Sequence, residues 1–314
     1  MKTMKWLIKR EMWENKGMLL WTPIVIAGAV VTLILTGLIF GNLDTIRLYN
    51  QPLSVTIEGT ARTRIVETMG EMYVTAGMPI LMILGLLVFF YCLGALHDER
   101  RDRSLLFWKS LPVSDSMTVL SKLVTALVVA PLITLGVAIA VGLLMVLALC
   151  GLAAMHGTNL FGALLMTPQF YLTPLRLVAL LPVYILWALP TVGWLLMVSS
   201  IARSKVFLWA VGTPIITTLL LVWAQKALHF GVDAVWFASH ISSRILLGVV
   251  PGAWIGFDQP PLSVSPETPG VSVSTIIFEA SWSTLGNASV WIGAAAGVAM
   301  IAVAIYMRRR REEV

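Results

Sequence analysis

The chain has 314 residues, of which 58% are hydrophobic and only 12% charged, with a net charge of +6. Soluble domains carry roughly 25% charged residues, so this surface cannot be coated for water alone. A soluble enzyme, a disulfide-stapled secreted domain and a disordered chain are all excluded. Basic residues lie beside apolar runs, which assigns the positive charge to membrane topology and not to nucleic acid.

From the N-terminus, residues 1–19 predict an amphipathic helix at the membrane interface. Met4, Leu7, Ile8 and Met12 share one side, Lys5, Lys9 and Lys16 flank it, and Trp6 and Trp13 form a second stripe. Glu11 interrupts the apolar side. Six runs then have the length a helix needs to cross a bilayer, about 20 apolar residues: Leu20–Phe40, Gly77–Leu96, Val119–Cys150, Leu177–Ile201, Val206–Ala224 and Val290–Tyr306. None contains an acidic residue, and Lys122 is the single basic residue within them, expected to snorkel to the interface. Helical spacing from Glu58 to Thr75 predicts that span two continues beyond its apolar run. The 225–289 connection is the longest. Its apolar stretch Ile245–Phe257, broken by Pro251 and Gly252, is too short to cross and predicts a re-entrant or interfacial segment.

The distribution of Lys and Arg sets the orientation. Outer connections hold only Arg47, Arg62, Arg64, Arg176, Lys226 and Arg244, and the remaining sixteen lie in alternate segments, whereas acidic residues divide evenly. This positive-inside pattern predicts cytoplasmic N- and C-termini. It places Cys92 and Cys150 towards opposite faces, as free thiols. Gly37-x-x-x-Gly41 and Gly293-x-x-x-Gly297 are candidate helix-packing positions, for contacts within one subunit before contacts between two. Pro131, Pro182, Pro190 and Pro214 are expected to kink their spans. The hydroxyls of Thr32, Thr36, Thr191, Thr213, Thr217 and Thr218 are candidates to line a path. Ser199 and Ser200 have no evident partner base, which argues against a serine nucleophile.

The most informative connection is 97–118. It opens with the mixed charges Asp98, Glu99, Arg100, Arg101, Asp102 and Arg103, continues through Leu105, Leu106, Phe107 and Trp108, and reaches Lys109, Leu111 and Pro112. Four large apolar residues in so short a connection cannot bury one another. They need lipid, the N-terminal helix or another protein, and aromatics beside arginines are the composition of interface anchors. Ser114 is placed to cap the following helix, with Asp115 in its first turn.

The order of KREMWENKGMLLWTP, six spans, and LHDERRDRSLLFWKSLPVSD after span two resembles the permease subunits of type-2 ABC exporters. That resemblance implies a single all-α transmembrane domain over 1–314 in a bacterial inner membrane. It implies a coupling loop at 97–118 that docks on a separate cytoplasmic ATPase, and a second permease chain, identical or similar, as partner. No G-x-x-x-x-G-K-[ST] loop occurs in the chain. ATP and Mg are therefore expected on the ATPase subunit, with no cofactor, metal or catalytic residue in this chain and no enzymatic activity of its own. The absence of charge rings favours an apolar or amphipathic cargo. An ATP-independent secondary transporter or channel, and a non-transporting sensor or scaffold, are the rival readings. The first predicts an intramembrane charge or paired broken helices; the second predicts no ATPase partner.

Overall fold

A computed structural model describes residues 2–40, 60–101, 113–155, 159–229, 231, 233–258 and 273–310. Every secondary-structure element among them is helical, the arrangement that satisfies each backbone group within its own segment where no water is present. Six stretches are long and apolar enough to cross a membrane: Gly17–Gly37, Val74–Arg101, Asp115–Met155, Pro168–Ile201, Val206–Leu228 and Ala288–Arg310. The chain is thus an all-α polytopic membrane protein, and each apolar run read from the sequence lies on one of these stretches.

Helix α1 (Lys2–Glu14) passes through a π turn at Gly17–Trp21 into α2 (Thr22–Phe40). Helix α3 (Thr60–Ala95) is a single 36-residue rod, about 54 Å long at 1.5 Å per residue. It begins well before the apolar run, as the spacing from Glu58 to Thr75 predicts. Short α4 (His97–Arg101) follows. After the charged loop, α5 (Asp115–Val124), a π turn (Thr125–Val129) and α6 (Ala130–Met155) form one long helical run, with Pro131 just after the turn. α3 and α6 lie close where Gly77 faces Ala138.

Ser114 caps α5 as expected, its hydroxyl accepting from the Met117 N–H at 3.3 Å. Ser114→Ala is therefore expected to destabilise the chain by about 1 kcal/mol. A thermal melt of the purified protein checks this, with Ser114→Asp restoring the midpoint.

After short α7 (Phe161–Leu165), span four is built from two helices, α8 (Pro168–Ala179) and α9 (Leu181–Ile201), joined at Leu180. Pro182 sits in the first turn of α9, where a missing N–H costs nothing. It therefore marks a break and a restart, where the sequence predicted a kink. The span begins at Pro168, and Arg176, expected in a connection, stands on α8. Helix α10 (Val206–Leu228) is the fifth span.

The long connection before the last span is also helical where described. It contains α11 (Ala234–Phe237), a π turn (Ala238–Ser242), α12 (Ser243–Leu247), α13 (Ala253–Asp258), α14 (Val273–Ser283) and a 3₁₀ turn leading to α15 (Ala288–Arg310). Within Ile245–Phe257, α12 and α13 are separated by a turn that includes Pro251–Gly252, with Gly252 at φ +82°, a conformation that favours glycine. The turn is anchored: the Tyr184 hydroxyl donates to the Val249 carbonyl at 3.2 Å, and the Trp254 indole N–H donates to Ser281 at 2.9 Å.

The core centres on α9. Trp187, Leu195 and Leu196 are fully buried, and α9 lies directly against α15 through Gly193 and Gly297. By contrast, α10 exposes most of its apolar side chains and α2 buries few of its own, the surface a bilayer solvates.

Candidate functional site

One end of the bundle carries a buried ion cluster that joins helices distant in sequence. Lys122, on α5, places its Nζ 2.9 Å from Glu11 of α1 and 3.0 Å from Glu99 of α4. Glu99 also pairs with Arg10 at 3.2 Å and with Arg308 of α15 at 2.9 Å. Arg308 reaches Asp115 at 2.9 Å. The Tyr91 hydroxyl donates to the second oxygen of Glu11 at 3.0 Å. Three cations thus face three carboxylates, and the Lys122 and Glu11 side chains are only 3% and 2% exposed. Lone charges at such depth would cost several kcal/mol each, so mutual pairing is the condition of their burial. At the edge, burial works against the charge on Arg10, but Glu14, Glu11 and Glu99 outweigh it and hold its pKa above the ordinary value.

A second set of bonds ties the end of α3 to the end of α9. The Ser199 hydroxyl accepts from the N–H groups of Leu96 and His97 at 3.2 and 3.0 Å and donates to the Leu93 carbonyl at 2.8 Å. Arg100 donates to the carbonyls of Leu96, Ser199 and Ala202. Ser199 is a structural cap, fully engaged with backbone groups.

These contacts divide the candidate coupling residues. Asp98 and Arg101 are exposed on α4, while Glu99 is buried and Arg100 half-buried against the bundle. Glu99 and Arg100 hold the stem of the loop and do not contribute to its outer surface. Asp102, Arg103, Leu105, Leu106, Phe107, Trp108, Lys109, Leu111 and Pro112 lie outside the described residues. Asp115 and Lys122, on the other stem, complete the arrangement, so both stems of the loop meet in one ion cluster.

Two residues of this cluster went unrecognised in the sequence. Lys122 does not snorkel; it points inward to two carboxylates. Glu11 is not a flaw in an apolar face, because that face packs against Tyr91 and Lys122. The available signal was complementarity, a lone acid on one amphipathic face and a lone base in one apolar run.

Of the packing glycines, Gly293 and Gly297 act within the chain. A Cβ at Gly297 would sit 2.7 Å from the Leu189 carbonyl oxygen, and one at Gly293 would collide with the Arg244 guanidinium. Arg244, expected in an outer connection, is buried there, stacked 4.3 Å over Trp187 and donating to the Ser289 carbonyl at 2.7 Å. Among the described residues, nothing lies within 4 Å of a Cβ placed at Gly37, and Gly41 lies outside them. Cys92 and Cys150 are buried and free.

A cavity of about 510 Å³ opens where α3, α6 and the α8–α9 joint meet the 250–256 turn and α14. Its walls are almost wholly apolar, and none of the six candidate threonines lines it. Those hydroxyls bond instead to backbone carbonyls: Thr32, Thr36, Thr213, Thr217 and Thr218 within their own helices, and Thr191 to Arg244. Among the described residues, no group of three His, Cys, Asp or Glu side chains is placed to hold a metal ion. Compared with known protein families, curated proteins and solved structures, the chain finds no match.

Proposed function

We propose that this chain is the transmembrane subunit of an ATP-driven ABC exporter, working as a dimer in a bacterial inner membrane and coupled to a separate cytoplasmic ATPase. The observation that carries this reading is the convergence of both stems of the 97–118 loop on one buried cluster. Glu99 on one stem, and Asp115 and Lys122 on the other, pair with α1 and α15. Arg100 and Ser199 tie the first stem to α9. A force applied to the loop reaches α1, α9 and α15 through ion pairs and hydrogen bonds, without relying on a flexible hinge. In this reading ATP binding closes the ATPase pair, the loop moves with it, and the helices reorient around the cargo path. Asp98 and Arg101 face the ATPase, Phe107 and Trp108 supply its apolar anchors, and Glu99 and Arg100 position the stem.

The test is recovery of the ATPase on tagged permease, normalised to the amount inserted in the membrane. Phe107→Ala with Trp108→Ala removes two aromatic anchors. Losing a central anchor costs about 2 kcal/mol or more, which weakens binding roughly 30-fold. Undiminished recovery, with undiminished cargo-stimulated hydrolysis, would sink the coupling assignment.

A further inference from the structure

We infer that the cavity beside the α8–α9 joint is a binding site for a single-chain amphiphile with an anionic head group, either a carboxylate or a phosphate. Three features support this. Its volume, about 510 Å³, lies within the range of sites that enclose one drug-sized molecule, about 300–1,000 Å³. Its walls are mainly apolar, with Met78 and Met82 on α3, Leu177 and Leu181 at the joint, and Tyr184 and Trp254 beside the 250–256 turn. Methionines adapt their shape to varied apolar guests, as an acyl or alkyl chain requires. The third feature is charge: among the described residues lining the cavity, Arg176 is the charged one.

The setting of Arg176 specifies the head group. Among the described residues, its Nη1 donates to the Thr275 hydroxyl at 2.6 Å and to the Ser274 hydroxyl at 3.5 Å. Two hydroxyls orient the guanidinium without neutralising it. Glu279, on the same helix as those hydroxyls, is exposed and makes no ion pair with Arg176 among the described residues. The guanidinium carries five N–H donors in a planar fork that matches a carboxylate or phosphate. A cation at the rim of an apolar cavity, held by neutral groups, complements a molecule that is acidic at one end and apolar along the rest.

The cavity lies where the α8–α9 joint at Leu180 faces the 250–256 turn, with Leu177, Leu180 and Leu181 on one side and Val250–Gly256 on the other. That turn is fixed through Val249 and Trp254, so the space is built into the fold and does not depend on a mobile loop. That this amphiphile is exported cargo rests on the exporter reading; that it binds here does not.

The experiment uses the purified full chain in phosphatidylcholine nanodiscs, with diazirine-bearing palmitate as the probe and peptide mapping of the adduct. Adducts are expected in 74–82 and 250–256. Unlabelled palmitate or hexadecyl phosphate should compete at least tenfold more effectively than hexadecanol, and the stronger of the two acids identifies the head group. Arg176→Gln should abolish the preference for an acid while sparing the apolar contact. Met82→Trp should fill the cavity and reduce labelling several-fold, which keeps the test decisive if the arginine variant does not fold. Equal competition by hexadecanol in the unaltered protein would overturn the head-group assignment. Labelling spread evenly over lipid-facing helices and unaffected by Met82→Trp would overturn the site. No ATPase takes part, so failure here and failure of the exporter reading are read separately.

Discussion

Lys122→Met is expected to destabilise the protein by about 3–5 kcal/mol, the cost of leaving buried partners of an ion pair uncompensated. The substitution keeps the length and apolar stem of the side chain but removes the charge that faces both Glu11 and Glu99. Glu99 retains Arg10 at 3.2 Å and Arg308 at 2.9 Å, whereas Glu11 keeps the longer 3.8 Å contact with Arg10, so the excess charge falls mainly on Glu11, whose side chain is 2% exposed. The thermal midpoint of the purified chain should drop sharply, and α1 should become accessible to proteolysis before the spans unfold. Combining Lys122→Met with Glu11→Gln removes both charges and leaves an amide that still accepts from Tyr91, so it should recover most of the loss. That non-additivity distinguishes a charge effect from a packing effect. A single variant with an unchanged midpoint, or a double variant no better than the single, would show that the cluster does not hold these helices together.

Gly193→Val is expected to cost about 3 kcal/mol or more, the upper end of overpacking. A Cβ at Gly193 would lie 2.5 Å from the Gly297 carbonyl oxygen. That neighbour is backbone, which cannot rotate away as a side-chain tip can, so α9 and α15 must separate. Separation would also loosen Arg244 from Trp187, because the guanidinium lies over Gly293 on the same face of α15. Gly37→Ala provides the contrast. With no atom of the described residues within 4 Å of the added Cβ, it should be neutral or slightly stabilising, since alanine is the better helix former by about 1 kcal/mol. Thermal melts of the two variants side by side decide the matter; equal midpoints would mean that the α9–α15 crossing is not set by its glycines.

Both results bear on how legible the molecule was. The six spans, the extension of α3 beyond its apolar run and the Ser114 cap are local properties, written in runs of apolar residues or in the residue at one helix start. The interruption of the helix within Ile245–Phe257 is likewise written in Pro251–Gly252. The GxxxG pair in span six was visible as a pattern, although the same pattern at Gly37 leads to open space in the described chain. Small residues permit close approach but do not say which helix will approach.

What the sequence determined by itself is the solvent, the number of crossings and most of the helix limits, because the transfer of apolar residues into lipid is decided segment by segment. Tertiary structure alone decided the inward turn of Lys122, the burial of Glu11 and Arg244, the engagement of Ser199 as a cap, and the cavity beside Leu180. Each depends on a partner far away in the chain: Glu11 lies 111 residues from Lys122, and Glu99 lies 209 from Arg308. A charge in an apolar stretch reads as a snorkelling residue until its counter-charge is placed beside it. Hydropathy records the cost of burying each charge separately, whereas the Coulomb attraction that offsets that cost arises only when folding brings the two within about 3 Å.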